Sequence, residues 1–398
     1  MAVASVSDPV AWTFAVGGSY SEELAWLTDV LQAPTGGTQH RRLRQSPRTT
    51  VSFQALESGA DRRWMDLLLR ANSGGQWWVP IAVDGRQLTA GAFADDTVLT
   101  ADIAGARYAA GGHALLIGSS PRTFEVCQIA SVGTATLTLA QGLAQAWPPG
   151  TQVIPLRAGR LAAIPQVGRF TADDSGMISL QFRLDEPLDV APAWPEAAYR
   201  GYPVFDSIAP TWRSDPAWTP ERLLDVQDDD IARPFVVDTA GIAIGKTTMS
   251  YAPIGTGELA AFRGALFAMA GRWAPVWVPS WTHDLRVVAP ATAGQSYLDV
   301  QGPLLSTQPL AANHRDIRIA LSGGSVLYRR ITAVAAQGAG IDRLMLDAAL
   351  PAGFAADNVQ MVCFLVLSVQ DADINTLRYF NAEALECDMT WRELAHGI

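Results

Sequence analysis

The chain has 398 residues, 49% of them hydrophobic and only 17% charged, with a formal net charge of −10 and 13 tryptophans. The length predicts two to three domains of roughly 100–200 residues each, and the composition excludes a disordered chain. The acidic balance argues against sequence recognition of nucleic acid, which needs a basic field, and the low charge with many tryptophans predicts surface covered by a partner.

The opening residues, MAVASVSDPVAW, lack the charged and apolar regions of a secretory signal, so none is expected. SEELAWLTDV (21–30) starts like a helix or turn, with Ser21 as a possible N-cap. A basic stretch, HRRLRQSPR (40–48), leads into RTTVSFQAL (48–56), whose alternating apolar positions predict a strand. ADRRWMDLLLRA (60–71) has Trp64, Leu67 and Leu68 at i, i+3, i+4, an amphipathic helix. SGGQWWVP (73–80) ends that helix with glycine and begins an aromatic strand. Residues 93–162 hold short apolar runs divided by Gly, Ser and Pro, the pattern of a small antiparallel barrel or sandwich. MISLQFRL (177–184) is a closing strand, and a proline-rich join over 191–204 is expected to be stiff.

The same order then recurs. PAWTPERLLDV (216–226), with Thr219 as a possible cap, precedes an acidic loop, DVQDDD (225–230). KTTMSYAPI (246–254) precedes a helix over GELAAFRGALFAMA, with Phe262, Leu266 and Met269 on one stripe. GRWAPVWVP, a second strand-rich excursion over 295–370 and CDMTWREL complete the set. Matched pairs in order are WLTDV and LLDV, TTVSF and TTMSY, Trp64 and Phe262, WWVP and VWVP, QIASV and RITAV, FTADD and FNAEA, and LQFR and MTWR, each about 200 residues apart. The expectation is a mainly β protein: two tandem copies of a β-sandwich-like domain with one packed helix, each interrupted by an inserted small antiparallel β-barrel or sandwich. The ring-type domains are 1–92 with 163–190 and 205–294 with 371–398; the inserts are 93–162 and 295–370. Trp64, Trp78, Phe262 and Trp277 are the expected core aromatics beside the helices.

Chemistry is sparse. AGIAIGKTT (240–248) has its first glycine one place late for a phosphate loop and leads into a strand. The five histidines, His40, His113, His283, His314 and His396, form no HExxH pair, and no GxSxG elbow occurs. Cys127, Cys363 and Cys387 form no CxxC pair or disulfide framework. DVQDDD lacks the spacing and glycine of a calcium loop. No metal, cofactor or enzymatic activity is expected. The longest apolar run, MVCFLVLSV (361–369), is far short of the roughly 20 residues of a membrane helix and reads as a buried strand. Basic Arg41, Arg42 and Arg44 and acidic Asp228, Asp229 and Asp230 occupy roughly equivalent places in the two copies, and could meet across a subunit boundary. The tryptophan-rich strands also admit stacking on sugars.

EELAWLTDVLQAPTGGTQHRRLRQSPRTTVSF (22–53) resembles the opening of tail proteins of long-tailed, siphovirus-type bacteriophages, and the helix followed by WWVP is similar to theirs. WRSDPAWTPERLLDV (212–226) repeats that opening in weaker form. The resemblance is diffuse over both copies, strongest over 22–80, and rests on packing patterns. It implies a distal tail or baseplate protein: a virion structural ring at the tail tip, assembled in the host cytoplasm, joining the tail tube protein to hub or fibre proteins. The usual family form carries the plan once and forms a hexamer. Two copies per chain lead to the expectation of a trimer with pseudo-sixfold symmetry in place of a hexamer. The alternative is a carbohydrate- or receptor-binding tail component acting through the inserted β domains.

Overall fold

The computed structural model describes residues 9–169, 175–188, 190–195, 197–231, 233–302, 305–308, 310–338 and 340–395. FTADD (170–174) and His396 lie outside them. The fold is mainly β, with two α-helices of 14 residues each among the described residues.

In the N-terminal half a short strand β1 (Val10–Ala11) is followed by β2 (Gly17–Ala25), then a two-stranded hairpin of β3 (Thr28–Gln32) and β4 (Thr38–Arg42), and then β5 (Arg48–Ser58). Helix α1 (Gly59–Asn72) and β6 (Trp77–Pro80) come next. The excursion contains β7 (Arg86–Gln87), β8 (Val98–Thr100), β9 (His113–Ile117), β10 (Phe124–Val132) and β11 (Thr136–Leu139). The chain returns through β12 (Gln152–Leu161), β13 (Val167–Arg169) and β14 (Ser175–Leu184).

One layer has the order β13-β14-β5-β2, all antiparallel. A second layer runs β1-β6-β12-β9-β10, and β12 also touches the end of β14, tying the layers together. Trp12, Phe53, Trp77 and Phe182 fill the space between them, with ring centroids 5.8–6.0 Å apart. Met65 and Leu69 of α1 join that cluster. Pairing also passes from β10 to β11, β8, a Leu88–Ala101 bridge and β7, and back to β12. That circuit encloses a separate cluster that includes Leu99, Ala114, Leu116 and Leu137.

The C-terminal half opens with a hairpin of β15 (Ala198–Tyr199) and β16 (Tyr202–Pro203). Strand β17 (Ala217–Glu221), a hairpin of β18 (Leu224–Gln227) and β19 (Phe235–Asp238), β20 (Ile244–Tyr251), α2 (Thr256–Met269) and β21 (Val276–Pro279) follow. The second excursion contains β22 (Arg286–Val287), β23 (Tyr297–Gln301), β24 (Asp316–Leu321), β25 (Val326–Gly338), β26 (Ile341–Leu346) and β27 (Val359–Gln370). Strands β28 (Ile374–Asn381) and β29 (Ala384–Glu393) close the half. The order β28-β29-β20-β17 matches the first layer of the N-terminal half strand for strand. Phe205, Tyr251, Phe262 and Trp391 form its aromatic centre. The second excursion closes a circuit through β24, β25, β26, β23, β22 and a Leu285–Val362 bridge, around its own cluster.

Four sequence expectations need correction. SEELAWLTDV and PAWTPERLLDV are strands, not helix or turn. In the first, Tyr20, Glu22, Leu24 and Trp26 alternate inward and are all buried; a glutamate at an inward position disguises the period of two. The pairing of Trp64 with Phe262 is off by one: α1 buries Arg62, Met65 and Leu69 where α2 buries Leu259, Phe262 and Leu266, so Met65 stands in the place of Phe262. LQFR and MTWR also slip. Phe53 lies opposite Leu180, two residues before Phe182, whereas Tyr251 lies opposite Cys387, four residues before Trp391. A slip of two keeps every side chain on its face, since the strand period is two. The fourth concerns WWVP, where the fully buried residue on the helix side is Trp77. Trp78 points to the other face of the layer, its ring 4.2 Å from that of His113.

Candidate functional site

The most heavily built region of the molecule is the seam between its halves. Strand β2 has β5 on one edge and β28 on the other, with Tyr20 opposite Tyr379 and Ala25 opposite Ile374. The two layers therefore join into one run, β13-β14-β5-β2-β28-β29-β20-β17. Helix α2 covers the seam, and the ring of Phe267 meets Trp26 edge-on at 5.2 Å. The aromatic centres of both halves belong to one continuous cluster. The proline-rich join is docked as well: Ala193 N–H donates to the Gly264 carbonyl of α2 at 3.0 Å.

Within the seam lies a fully buried charge network. Arg107, from the first excursion, donates two hydrogen bonds to Glu22 of β2 at 2.5 and 2.8 Å and one to Asp84. Arg263 of α2 donates to the Tyr379 hydroxyl at 2.8 and 3.1 Å and lies 3.8 Å from Asp84. The Tyr379 hydroxyl donates to Glu22 at 3.1 Å. Two carboxylates thus face two guanidiniums drawn from the first strand layer, the first excursion and the second half. Burial alone pushes the Glu22 carboxyl up, but the adjacent Arg107 guanidinium outweighs it and holds the group below its ordinary range. Removing one partner from such a network strands a buried charge, at a cost of about 3–5 kcal/mol.

A second contact is made by the β3–β4 hairpin, which lies on the C-terminal half. Thr28 donates its N–H and its hydroxyl to the Asp373 carboxylate at 2.7 and 2.9 Å. The Arg42 guanidinium sits over Trp26 and Trp273 at 5.7 and 5.4 Å. At the hairpin tip, a Cβ on Gly36 would come within 2.9 Å of Ala395 and 3.2 Å of Ile244. Gly271, at φ +69°, lets the chain pass beside Asp373, where a Cβ would stand 2.5 Å from the carboxylate.

The two ends of the strand run are bare by comparison. At one end, among the described residues, β17 pairs only with β20, and Trp218 is 59% exposed. At the other, again among the described residues, β13 pairs only with β14. The β18–β19 hairpin beside β17 exposes every residue of β18 and, in β19, Phe235 (64%), Val236 and Val237.

The expected interface residues fall in these hairpins. Arg41 and Arg42 are in β4 and Arg44 just follows it; Asp228, Asp229 and Asp230 directly follow β18 and are exposed. Arg42 and Arg44 are already engaged within the chain, Arg42 on the two tryptophans and Arg44 on the Ala25 carbonyl at 2.8 Å. Of the expected core aromatics, Phe262 and Trp277 are buried, and Trp64 and Trp78 half-buried. Trp277 is covered by the join, its indole N–H donating to the Tyr199 carbonyl at 2.7 Å. Of the indoles of WWVP and VWVPSW, Trp77, Trp277 and Trp281 are buried, and the half-buried Trp78 packs on His113 beside a cavity that both residues line. Lys246, from the near-match to a phosphate loop, is a strand residue held by Glu221 at 3.2 Å and Asp371 at 3.4 Å. Burial pushes the Cys127 and Cys387 thiols up to about 12 and that of Cys363 to about 11, far from a reactive thiolate. Among the described residues no group of three His, Cys, Asp or Glu side chains is placed to hold a metal, and no helix is long and apolar enough to cross a membrane.

Sequence reasoning missed Glu22, Arg107, Asp84 and Arg263. The available signal was an acidic residue in an otherwise inward-facing alternation, Tyr20-Glu22-Leu24-Trp26. Comparison with protein-family models and with curated proteins finds no match to this chain.

Proposed function

We propose that this chain is a tandem duplication of a β-sandwich-like ring domain, each copy carrying an inserted small β-barrel, and that it builds the tail-tip ring of a siphovirus-type bacteriophage. In that role it joins the tail tube to the hub and receptor-binding parts, as a structural protein and not an enzyme. The observation that carries the reading is the asymmetry of the strand run. Inside the chain, the outer edge of the first copy (β2) is joined to the closing hairpin of the second (β28). The outer edge of the second copy (β17) and the closing hairpin of the first (β13) are the same two kinds of edge, each with one side unpaired among the described residues. A head-to-tail contact that repeats the internal seam joins chain to chain, and heterologous contacts of this kind close into rings. Three chains then present six similar domains, matching sixfold contacts on one face and threefold contacts on the other.

The test is the mass of the purified protein by light scattering on a sizing column across concentrations, with negative-stain imaging of the assembled fraction. A trimer seen as a six-lobed ring supports the reading. A hexamer retains the ring but overturns the pseudo-sixfold trimer. A two-fold dimer, or a monomer at every concentration, overturns the ring.

A further inference from the structure

The two hairpins occupy the same place in their copies, between the outer edge strand and the strand that follows it: β3–β4 between β2 and β5, β18–β19 between β17 and β20. Their circumstances differ. The first is fixed to the other half by Asp373, Trp273 and the close approach of Gly36 to Ile244 and Ala395. The second presents Leu224, Val226, Phe235, Val236 and Val237 to solvent. An isolated two-stranded hairpin is marginal in water, and a cluster of exposed apolar residues marks an interaction surface.

We infer that the β18–β19 hairpin is an arm that docks onto the first copy of a second chain, in the manner that β3–β4 docks onto the second copy within the chain. This rests on the head-to-tail ring. The internal contact names the landing site. Asp373 precedes β28, Trp273 follows α2, and Ile244 and Ala395 lie at the start of β20 and just beyond β29. The corresponding positions in the first copy are the residues before β13, the 73–76 turn after α1, the start of β5 and the end of β14. At that last corner Arg48, Arg160 and Arg183 are exposed on neighbouring strands: Arg160 lies opposite Arg183, and Arg183 opposite Thr50, two residues from Arg48. Cross-strand partners share a face, so the three lie on one face together with Glu23, which is opposite Thr50, and Arg160 is 3.6 Å from Asp185: three cations against two carboxylates. The arm's turn carries Asp228, Asp229 and Asp230. Its partner in charge is therefore this corner, not Arg42 and Arg44, which the chain already uses. Apolar strands supply the contact area, and the acidic turn selects the register.

The experiment uses the full chain. Val226→Asp with Phe235→Asp alters side chains that are exposed in the single chain, so far-UV circular dichroism and melting of the unassembled protein should match the wild type. Sedimentation velocity should show that the concentration needed for assembly rises about tenfold or more. A second pair of variants tests the turn: Asp228, Asp229 and Asp230 to Lys weakens assembly, Arg48, Arg160 and Arg183 to Glu weakens it, and combining both reversals in one chain restores it. Assembly of the Val226→Asp, Phe235→Asp protein at wild-type concentrations overturns the arm while leaving the ring intact. Failure of the combined charge reversal to restore assembly overturns the landing site. A wild type that never self-associates overturns the arm and the ring together.

Discussion

Helices α1 and α2 have the same length and the same place in their halves, yet α2 buries nine residues and α1 only three. The difference lies in what stands outside each helix. Helix α2 is sandwiched between its own strand layer, the seam at Trp26 and the docked join at Ala193. Helix α1 packs on β5 and β14 and meets solvent on its outer face, where Leu67 is 61% exposed. Composition follows. The outer surface of α1 carries Arg63 and Arg70, whereas α2 is apolar nearly all round, with Arg263 accommodated only because Tyr379 and Asp84 receive it. An amphipathic helix and an all-round apolar helix are the same element with one and with two buried sides.

Predictions that break this comparison begin at its most buried point. Arg107→Ala leaves Glu22 and Asp84 buried without their shared cation, and should lower stability by about 3–5 kcal/mol in chemical denaturation; a loss under 1 kcal/mol would mean that the seam holds without its charges. Phe267→Ala removes the ring that α2 places on Trp26 and should cost about 3 kcal/mol, near the lower end for a buried Phe, with a matching fall in melting temperature. Gly271→Ala, at a left-handed φ and against the Asp373 carboxylate, should cost about 1–3 kcal/mol. Leu67→Ala on the exposed side of α1 should change the stability of the unassembled chain by no more than about 0.5 kcal/mol. Equal effects of Phe267→Ala and Leu67→Ala would erase the distinction between the helices.

The pH dependence sharpens the same contrast. The Glu22 carboxyl is held below its ordinary range by Arg107, so its contribution is full above the unfolded value of about 4.3 and is lost as the pH falls through the lower folded value. Acid titration followed by tryptophan fluorescence should therefore show the seam failing below about pH 4. In an Arg107→Ala protein burial pushes the Glu22 carboxyl up instead, so protonation relieves the buried charge and that acid limb should be lost.

Much of the fold was legible. Alternation marked β5 and β20, glycines marked the helix ends, and the spaced matches predicted two sets of elements in one order. What escaped has a physical cause. Strand β2 looked like a capped helix because Ser21, Glu22 and Glu23 resemble a first helical turn, and because Glu22 occupies an inward position that only a distant arginine makes tolerable. The β2–β28 pairing joins residues about 350 positions apart, which no local pattern records. Trp78 was favoured over Trp77 by its match to Trp277; both matched residues point away from their helices, so the correspondence held while its assigned face did not. The acidic and basic loops drew attention as a pair, but cation–π and backbone contacts of Arg42 and Arg44 are visible only in three dimensions.

Strand β12 pairs with β9 at its start and with β6 and β14 at its end, without interruption. Strand β27 likewise pairs with β24 at its start and with β21 and β29 at its end. Each outer lobe is therefore carried on a beam shared with the layer beneath it, about 33 Å long for the ten residues of β12. Such a mounting leaves no swivel. A pull on either lobe is borne as shear along hydrogen bonds that also hold the central layer, and is spread over several of them at once, so the lobe and its base yield together.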